Sequence, residues 1–272
     1  MSLPFRQLAL SGGGMKGILH IGVLNALEKH QPLVFPDGVY GCSIGAIIGT
    51  LIAFEKPLQR EMANKYLKFD NVLPKLEFNH VKNVFREKGM FSMDLFEEKL
   101  TEIFSEVDID LKTAKIKDAK MPLYIIASNI TKGVPTILSG DVLIMDALKC
   151  SCCLPGVFHP QELYGSLYLD GGLLMPSLEL VAPDALHLFL TKKRSIPVTK
   201  ENLENISMVD FIRHIYSVSM NQFHKFHKTE NSIDLEYPNL TSDSNLDEFD
   251  IDKIMIHCET VLNSFLASKS RL

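Results

Sequence analysis

The chain lacks the charge of a nucleic-acid binder. Its 28 Lys and Arg stand against 33 Asp and Glu, a formal net charge of −5 over 272 residues, whereas domains that track phosphate backbones are usually basic. It also lacks a long apolar run. The longest, Ile44 to Phe54, falls short of the roughly 20 residues that a bilayer-spanning helix needs. The N-terminal stretch Met-Ser-Leu-Pro-Phe-Arg has no apolar core of a secretory signal. Cysteine is sparse: five residues, an odd number with no disulfide-framework spacing. Free thiols fit a reducing compartment, so the expectation is a cytoplasmic protein that meets a membrane, if at all, peripherally. No repeat or low-complexity segment interrupts the chain. The cluster Cys150-Ser151-Cys152-Cys153 lacks the second Cys pair or paired histidines of a zinc site, and neighbouring helical positions point in different directions. No metal and no cofactor are expected, and the cluster reads as small buried residues.

What is present is concentrated in three short segments. Residues 8 to 17, Leu-Ala-Leu-Ser-Gly-Gly-Gly-Met-Lys-Gly, read as an apolar strand running through a glycine loop into a helix. Gly41-Cys42-Ser43-Ile44-Gly45 has the Gly-x-Ser-x-Gly spacing of a nucleophile elbow. The strand-like Gly38-Val39-Tyr40 precedes it and an all-round apolar, hence buried, helix follows. Side chains at Gly41 and Gly45 would clash where strand and helix meet so sharply. Asp170-Gly171-Gly172 supplies a carboxylate on a tight turn, where the two glycines let backbone N–H groups face it. A serine hydroxyl, a carboxylate and a loop of free N–H groups are minimal equipment for acyl transfer.

The glycine loop has a competing reading. Gly12, Gly14 and Gly17 satisfy G-x-G-x-x-G, and Asp37 lies twenty residues beyond Gly17, which superficially matches a dinucleotide fingerprint. That acid should end the second strand, but Asp37 precedes Val39-Tyr40 and lies at its start. A P-loop fails because no Gly-Lys-Ser/Thr follows Gly17. The same helix N-terminus serves an oxyanion as well as a phosphate. Lys16 reads either as a surface lysine or as an electropositive supplement to that site.

On Leu10-Ser11-Gly12-Gly13-Gly14-Met15-Lys16-Gly17, His20-Ile21-Gly22-Val23-Leu24, Gly41-Cys42-Ser43-Ile44-Gly45-Ala46, Leu154-Pro155-Gly156-Val157-Phe158 and Leu169-Asp170-Gly171-Gly172, the chain resembles the patatin-like phospholipases. The match in order and spacing covers roughly residues 5 to 190. The resemblance implies a lipid acyl hydrolase with a Ser–Asp dyad, no catalytic histidine and no metal. Carried over by position, Ser43 is the nucleophile and Asp170 the base. The loop Gly12, Gly13, Gly14 and Met15, chiefly Gly13 and Gly14, forms the oxyanion hole, with Lys16, Gly17, Gly41, Gly45, Gly171 and Gly172 in support. The departures are Lys16 where Arg is also common, Cys42 before the serine, Cys150, Cys152 and Cys153 in place of Ser or Ala, and Leu173-Leu174-Met175 where Asn residues often precede the Pro. The last bears on the leaving-group side.

Alternating strands and helices indicate an α/β layer fold with a mostly parallel sheet; the resemblance makes it three-layered, with helices on both faces. Strands are expected at residues 6–10, 123–130, 134–138, 167–169 and 185–190, the last closing the sheet. Helices are expected at 15–30, after the elbow, and at 141–153. Residues 57–120 read as a mostly helical insertion broken at Pro74, Gly89 and Pro122. The catalytic domain is expected to span 1–195. A helical segment, 196–272, packs on it as two amphipathic helices, 203–228 and 249–269, joined by a polar stretch around Ser242-Asp243-Ser244-Asn245.

A triad is the rival mechanism, with His187, His214, His224, His227 or His257 taking the proton. None lies in a strand-end turn with small neighbours, which favours the dyad; His20 reads as a packing residue with a hydrogen bond. The function expected is cleavage of phospholipid or acylglycerol esters. An acyltransferase on the same fold and a non-catalytic lipid- or nucleotide-binding module are the alternatives. Lys192, Lys193, Arg194 and the lysines between Lys112 and Lys120 are candidate contacts to an anionic membrane surface.

Overall fold

A computed structural model of the chain describes residues 5–58, 84–191, 198–242 and 244–270. In chain order the elements are β1 (Gln7–Leu10), α1 (Gly17–Glu28), β2 (Gly38–Cys42), α2 (Ile44–Ala53), β3 (Gly89–Phe91), α3 (Asp94–Ser105), β4 (Leu123–Asn129), β5 (Val134–Leu138) and α4 (Ile144–Cys152). They continue with β6 (Gly156–Phe158), β7 (Gln161–Leu163), β8 (Ser166–Asp170), β9 (Leu186–Leu190), α5 (Met208–His227), β10 (Ser232–Leu235) and α6 (Ile251–Lys269).

Eight strands form one sheet in the order β10-β9-β1-β2-β4-β8-β7, with β5 also on β4. The run from β10 to β4 is parallel, and the hairpins β4–β5 and β7–β8 and the pair β4–β8 are antiparallel. Alternation along the strands sorts side chains between two faces. Leu8, Leu10, Val39, Ile125, Leu186 and Leu188 pack into the main core with α1, α2, α4 and α6. Ala9, Cys42 and Ile126 form a smaller cluster on the other side with Met175, Leu178, Ala182 and Ala185. There α5 covers β9, its His224 ring stacked on Phe189 with centroids 3.6 Å apart. This is a three-layer α/β fold.

Helices α1 and α6 pack closely because Gly22 has no side chain: a Cβ there would meet the Cys258 sulfur at 2.7 Å. Cys258 is fully buried, and it ties the C-terminal helix to the one that follows the glycine loop.

The structure departs from expectation in two places. The first lies in the insertion. Residues 59–83, including Pro74, lie outside the described residues. Of the remainder residues 84–87 and α3 are helical, but Gly89, expected as a break, belongs to β3, which pairs in parallel with β6. A Cβ at Gly89 would lie 2.2 Å from the Phe158 carbonyl, so that glycine permits a close backbone approach rather than breaking a helix. Residues 106–122 are mainly turns and bends with one short 3-10 turn, Ile116–Asp118. Secondly, β9 does not close the sheet. Between the two C-terminal helices lies β10, paired in parallel with β9. Four residues are too short for an alternation signal, and Asp234 gains its partners only from the packed neighbours. The boundary at 195 falls in residues 192–197, which, like Lys192, Lys193 and Arg194, lie outside the described residues.

Candidate functional site

Ser43 sits between β2 and α2 with φ 55° and ψ −127°, a backbone state that costs a residue with a side chain on the order of 1–3 kcal/mol. Packing imposes it. A Cβ at Gly41 would lie 2.5 Å from the Ala46 Cα, and one at Gly45 would lie 2.1 Å from the Leu10 carbonyl oxygen. The two glycines let α2 leave the strand at once and press its first turn against β1. The Ser43 N–H donates to Ser151 Oγ at 2.9 Å, and that hydroxyl donates to the Ile126 carbonyl at 2.6 Å. Ser151 on α4 thereby pins the elbow to β4.

The glycine loop lies over the serine: a Cβ at Gly12 would stand 2.9 Å from Ser43 Cβ and 3.7 Å from its Oγ. The amides of Gly12, Gly13 and Gly14 donate to no acceptor among the described residues, whereas that of Met15 donates to the Ser242 carbonyl at 3.0 Å. Met15 is therefore corrected out of the candidate oxyanion hole, because its N–H is already engaged. Gly14 has φ +57°, and a Cβ there would meet the Ser242 oxygen at 2.3 Å. The polar stretch between the C-terminal helices thus rests on the glycine loop. Lys16 is no surface lysine: it is buried and donates from Nζ to the Thr191 carbonyl at 2.7 Å, which ties the loop to the end of β9. Gly17 opens α1 behind it. His20 bonds the Ser11 carbonyl at 3.0 Å; burial pushes its pKa down to about 4, so it is a neutral packing residue.

Asp170 ends β8. Cys42 is in register with Ile126 and Asp170 with Ala127, the next residue of β4. One strand therefore separates the residues flanking the elbow from the carboxylate, about 10 Å between backbones. The aspartate is buried. Its Oδ1 accepts from the Gly172 N–H at 3.0 Å and from the Tyr216 hydroxyl of α5. Gly172 makes room for that helix, since a Cβ there would meet the Tyr216 oxygen at 2.6 Å. Gly171 packs as closely on β4, where a Cβ would lie 2.2 Å from the Ile126 carbonyl oxygen. Ser128 on β4 donates to the Asp170 carbonyl at 2.8 Å and accepts from the Leu174 N–H at 3.0 Å, fixing the turn. Tyr216, Ser151 and Ser128 carry no motif in the sequence. Only the amphipathic period of α5 hints that Tyr216 has a buried face.

Three thiols lie in the neighbourhood of the serine or the aspartate. Cys42 Sγ lies 3.9 Å from Asp170 Oδ1. Burial, reinforced by the Asp170 charge, raises the Cys152 thiol well above its usual range, against a weaker opposing hydrogen bond with Ser43. Cys153 is raised for the same first two reasons, and burial takes Cys150 up to about 12. All five cysteines are free and buried. Among the described residues no three of His, Cys, Asp and Glu converge as metal ligands.

The five downstream histidines make their contacts elsewhere. His187 bonds the Ala182 carbonyl at 2.7 Å, His224 bonds Asp234 at 2.7 Å and His257 bonds the Glu236 carbonyl at 2.8 Å. Among the described residues none of these, nor His214 or His227, hydrogen-bonds Ser43 or Asp170. Asp37 lies at the start of β2, paired with Arg6 at 2.6 Å, far from a nucleotide site's geometry. No helix among the described residues is long and apolar enough to cross a membrane.

Comparison with known proteins bears on this arrangement. The chain is 31% identical over 181 residues to the probable lipid hydrolase 463L of Invertebrate iridescent virus 6, a match covering 62% of this chain and 60% of that protein. It is 30% identical over 174 residues to mouse patatin-like phospholipase domain-containing protein 6, covering 61% of this chain but 12% of the relative. The chain thus spans less than two thirds of these relatives. Among solved structures, VipD from Legionella pneumophila superposes with a TM-score of 0.52 at 14% identity, over 98% of this chain and 67% of VipD, which supports the fold alone. Residues 8–182, a stretch holding the glycine loop, the elbow and the Asp170 turn, match the family model for the patatin-like phospholipases, and the chain belongs to that family.

Proposed function

We propose that the chain hydrolyses carboxylic esters of lipids, with Ser43 as nucleophile and Asp170 as general base. In the first half-reaction the Ser43 proton passes to the Asp170 carboxylate while Oγ attacks the ester carbonyl. The tetrahedral oxyanion is held by the unengaged amides of the Gly12–Gly14 loop at the start of the following helices. Collapse breaks the bond to the alkoxy group, which leaves as an alcohol with the proton from Asp170, and Ser43 is left acylated. Water then attacks the acyl carbonyl, gives its proton to Asp170, and the fatty acid departs as Ser43 recovers its hydrogen.

The observation that carries the reading is Ser43 at positive φ, directly beneath a glycine whose neighbouring amides are unengaged, one strand from a buried carboxylate. The Tyr216 and Gly172 donors support the ionised form of that carboxylate. The test is labelling with a fluorophosphonate alongside turnover of a short-chain p-nitrophenyl ester. Both are expected in the wild type and neither in Ser43→Ala with a native far-UV CD spectrum. A variant that still labels and turns over assigns the nucleophile elsewhere. Product analysis in the presence of an acceptor alcohol separates hydrolysis, giving free fatty acid, from acyl transfer, giving a new ester.

A further inference from the structure

Helix α5 has two faces with different partners. Tyr216, Met220 and His224, spaced four apart, point into the protein. Tyr216 bonds Asp170, Met220 is 2% exposed and packs where Gly172 lacks a side chain, and His224 bonds Asp234 at 2.7 Å. The other face is open and largely apolar, with Ser219 and Gln222 exposed among its apolar residues. Met208 is 68% exposed, Ile215 and Val218 54%, Phe223 47% and Phe226 76%. At about 100° per residue these five fall within an arc of roughly 140°, centred about 130° from the inner face. Single exposed apolar residues are ordinary, but five exposed aromatic and aliphatic residues along one side of a helix mark a contact surface.

Charge indicates what that contact is. After Asp210 the helix has no acidic residue, yet it carries Arg213, His214, His224, Lys225 and His227, followed by Lys228, in a chain of net charge −5. His224 and Lys228 are engaged with Asp234. Lys225 is exposed and His214 half-buried, and the helical period sets both just beyond one edge of the apolar arc, about 20–40° outside Val218, while exposed His227 lies in the last turn. An apolar stripe flanked by basic residues is the pattern of a helix lying in a lipid headgroup layer. A two-fold contact with a second copy would instead bring basic flank against basic flank. The lysines near residue 115 are poorer candidates, since Lys115 and Lys117 both pair with Asp141.

We propose that the outer face of α5 docks the protein on an anionic phospholipid surface. This rests on the lipid-hydrolase reading and deepens it. Because the inner face touches Asp170, docking sets the bilayer about one helix diameter, roughly 10 Å, from the candidate base, within reach of an ester drawn partly out of its leaflet.

The test is co-sedimentation of the full chain with vesicles of phosphatidylcholine alone or mixed with phosphatidylglycerol, at low and high salt. Wild type is expected to bind the anionic vesicles, less so as salt rises. Phe223→Ser with Phe226→Ser is expected to weaken that binding by about tenfold or more, and Lys225→Glu to weaken it less, while p-nitrophenyl ester turnover stays unchanged in both. If the double variant loses its native CD, Phe226→Ser alone, at the most exposed position, carries the same expectation. Ser43→Ala is expected to bind as wild type does, so a failed catalytic reading and a failed docking proposal give different results. Wild-type protein that sediments with neither vesicle, or equally with both, overturns the proposal. So does undiminished binding by the Phe variants, or a wild-type dimer that they dissociate.

Discussion

The Tyr216 hydroxyl on α5 donates to Oδ1 of Asp170, joining two residues 46 positions apart. Burial, followed by the carboxylate's charge, holds the phenol well above its ordinary 10, so Tyr216 stays protonated and acts as the donor. With the Gly172 N–H at 3.0 Å it anchors one oxygen of the carboxylate. A hydrogen bond to a charged group contributes on the order of 1.5–3 kcal/mol. Tyr216→Phe should therefore lower kcat on a soluble ester by about ten- to a hundredfold, with little change in KM and a native CD spectrum. Wild-type kcat in that variant would reduce the contact to packing.

Ser43 holds its conformation at a cost, and glycine removes that cost. Ser43→Ala and Ser43→Gly should both be inactive, but the glycine variant should unfold at the higher temperature. Relief of about 1 kcal/mol corresponds to roughly 2–4 °C for a chain of this size. Equal melting temperatures in a thermal scan would mean that the elbow stores no strain.

Roles can be separated by substituting Asp170 and the histidines. If Asp170 takes the serine proton itself, Asp170→Asn should cost about a hundred- to ten-thousandfold in kcat, nearly as much as Ser43→Ala. Alanine at His187, His214, His224, His227 or His257 should leave the rate within a few-fold. One folded histidine variant with a loss of about a thousandfold or more would establish a triad.

The buried cluster around His224 predicts a pH window of stability. Burial alone would lower His224, but its hydrogen bond to the Asp234 carboxylate and the Glu179 carboxylate 3.2 Å from Nδ1 outweigh it and hold the imidazole above its ordinary 6.5. Burial would raise Glu179, yet His224 and His187 take it down from 4.5 to about 2; the hydrogen bond to His224, assisted by Lys228, lowers Asp234. The His224 contribution is complete below about 6.5 and disappears as pH rises through its raised folded value. The carboxylates' contribution is complete above about 4.5 and disappears as pH falls toward 2. His187, held below its ordinary value chiefly by burial, works against the fold under acid, in wild type and variant alike. The melting-temperature difference between wild type and His224→Gln should therefore peak near pH 4.5–6.5 and shrink on both sides. A difference independent of pH would make the cluster a packing contact.

The parts of the candidate site legible in the sequence are those where a steric demand leaves a spaced signature. Gly41 and Gly45 flank Ser43 because α2 must fold back at once, and Gly171 and Gly172 follow Asp170 because β4 and α5 press on the turn. Tyr216, Ser151 and Ser128 were not legible. Each acts through one hydroxyl delivered by a distant element, and tyrosine or serine at a single helical or strand position has no periodicity. The sequence leaves Lys16 open between a surface and a buried position because its partner, the Thr191 carbonyl, arrives 175 residues later. β10 escaped notice because its apolar residues, Ile233 and Leu235, are too few to set a period.

The pairing of β1 with both β2 and β9 has a consequence for the nascent chain. Leu8–Leu10 meets Gly38–Cys42 early but waits for Leu186–Leu188. At synthesis rates of about 5–20 residues per second, one edge of the first strand stands unpaired for roughly ten to forty seconds. That edge bears apolar side chains and is a template for pairing with another chain. The glycine loop is no better placed, since its anchors, Thr191 and Ser242, are made later still. The chain therefore makes an association-prone edge well before the strand that closes it, and slowing translation after residue 42 should lower soluble yield more than slowing it after residue 235.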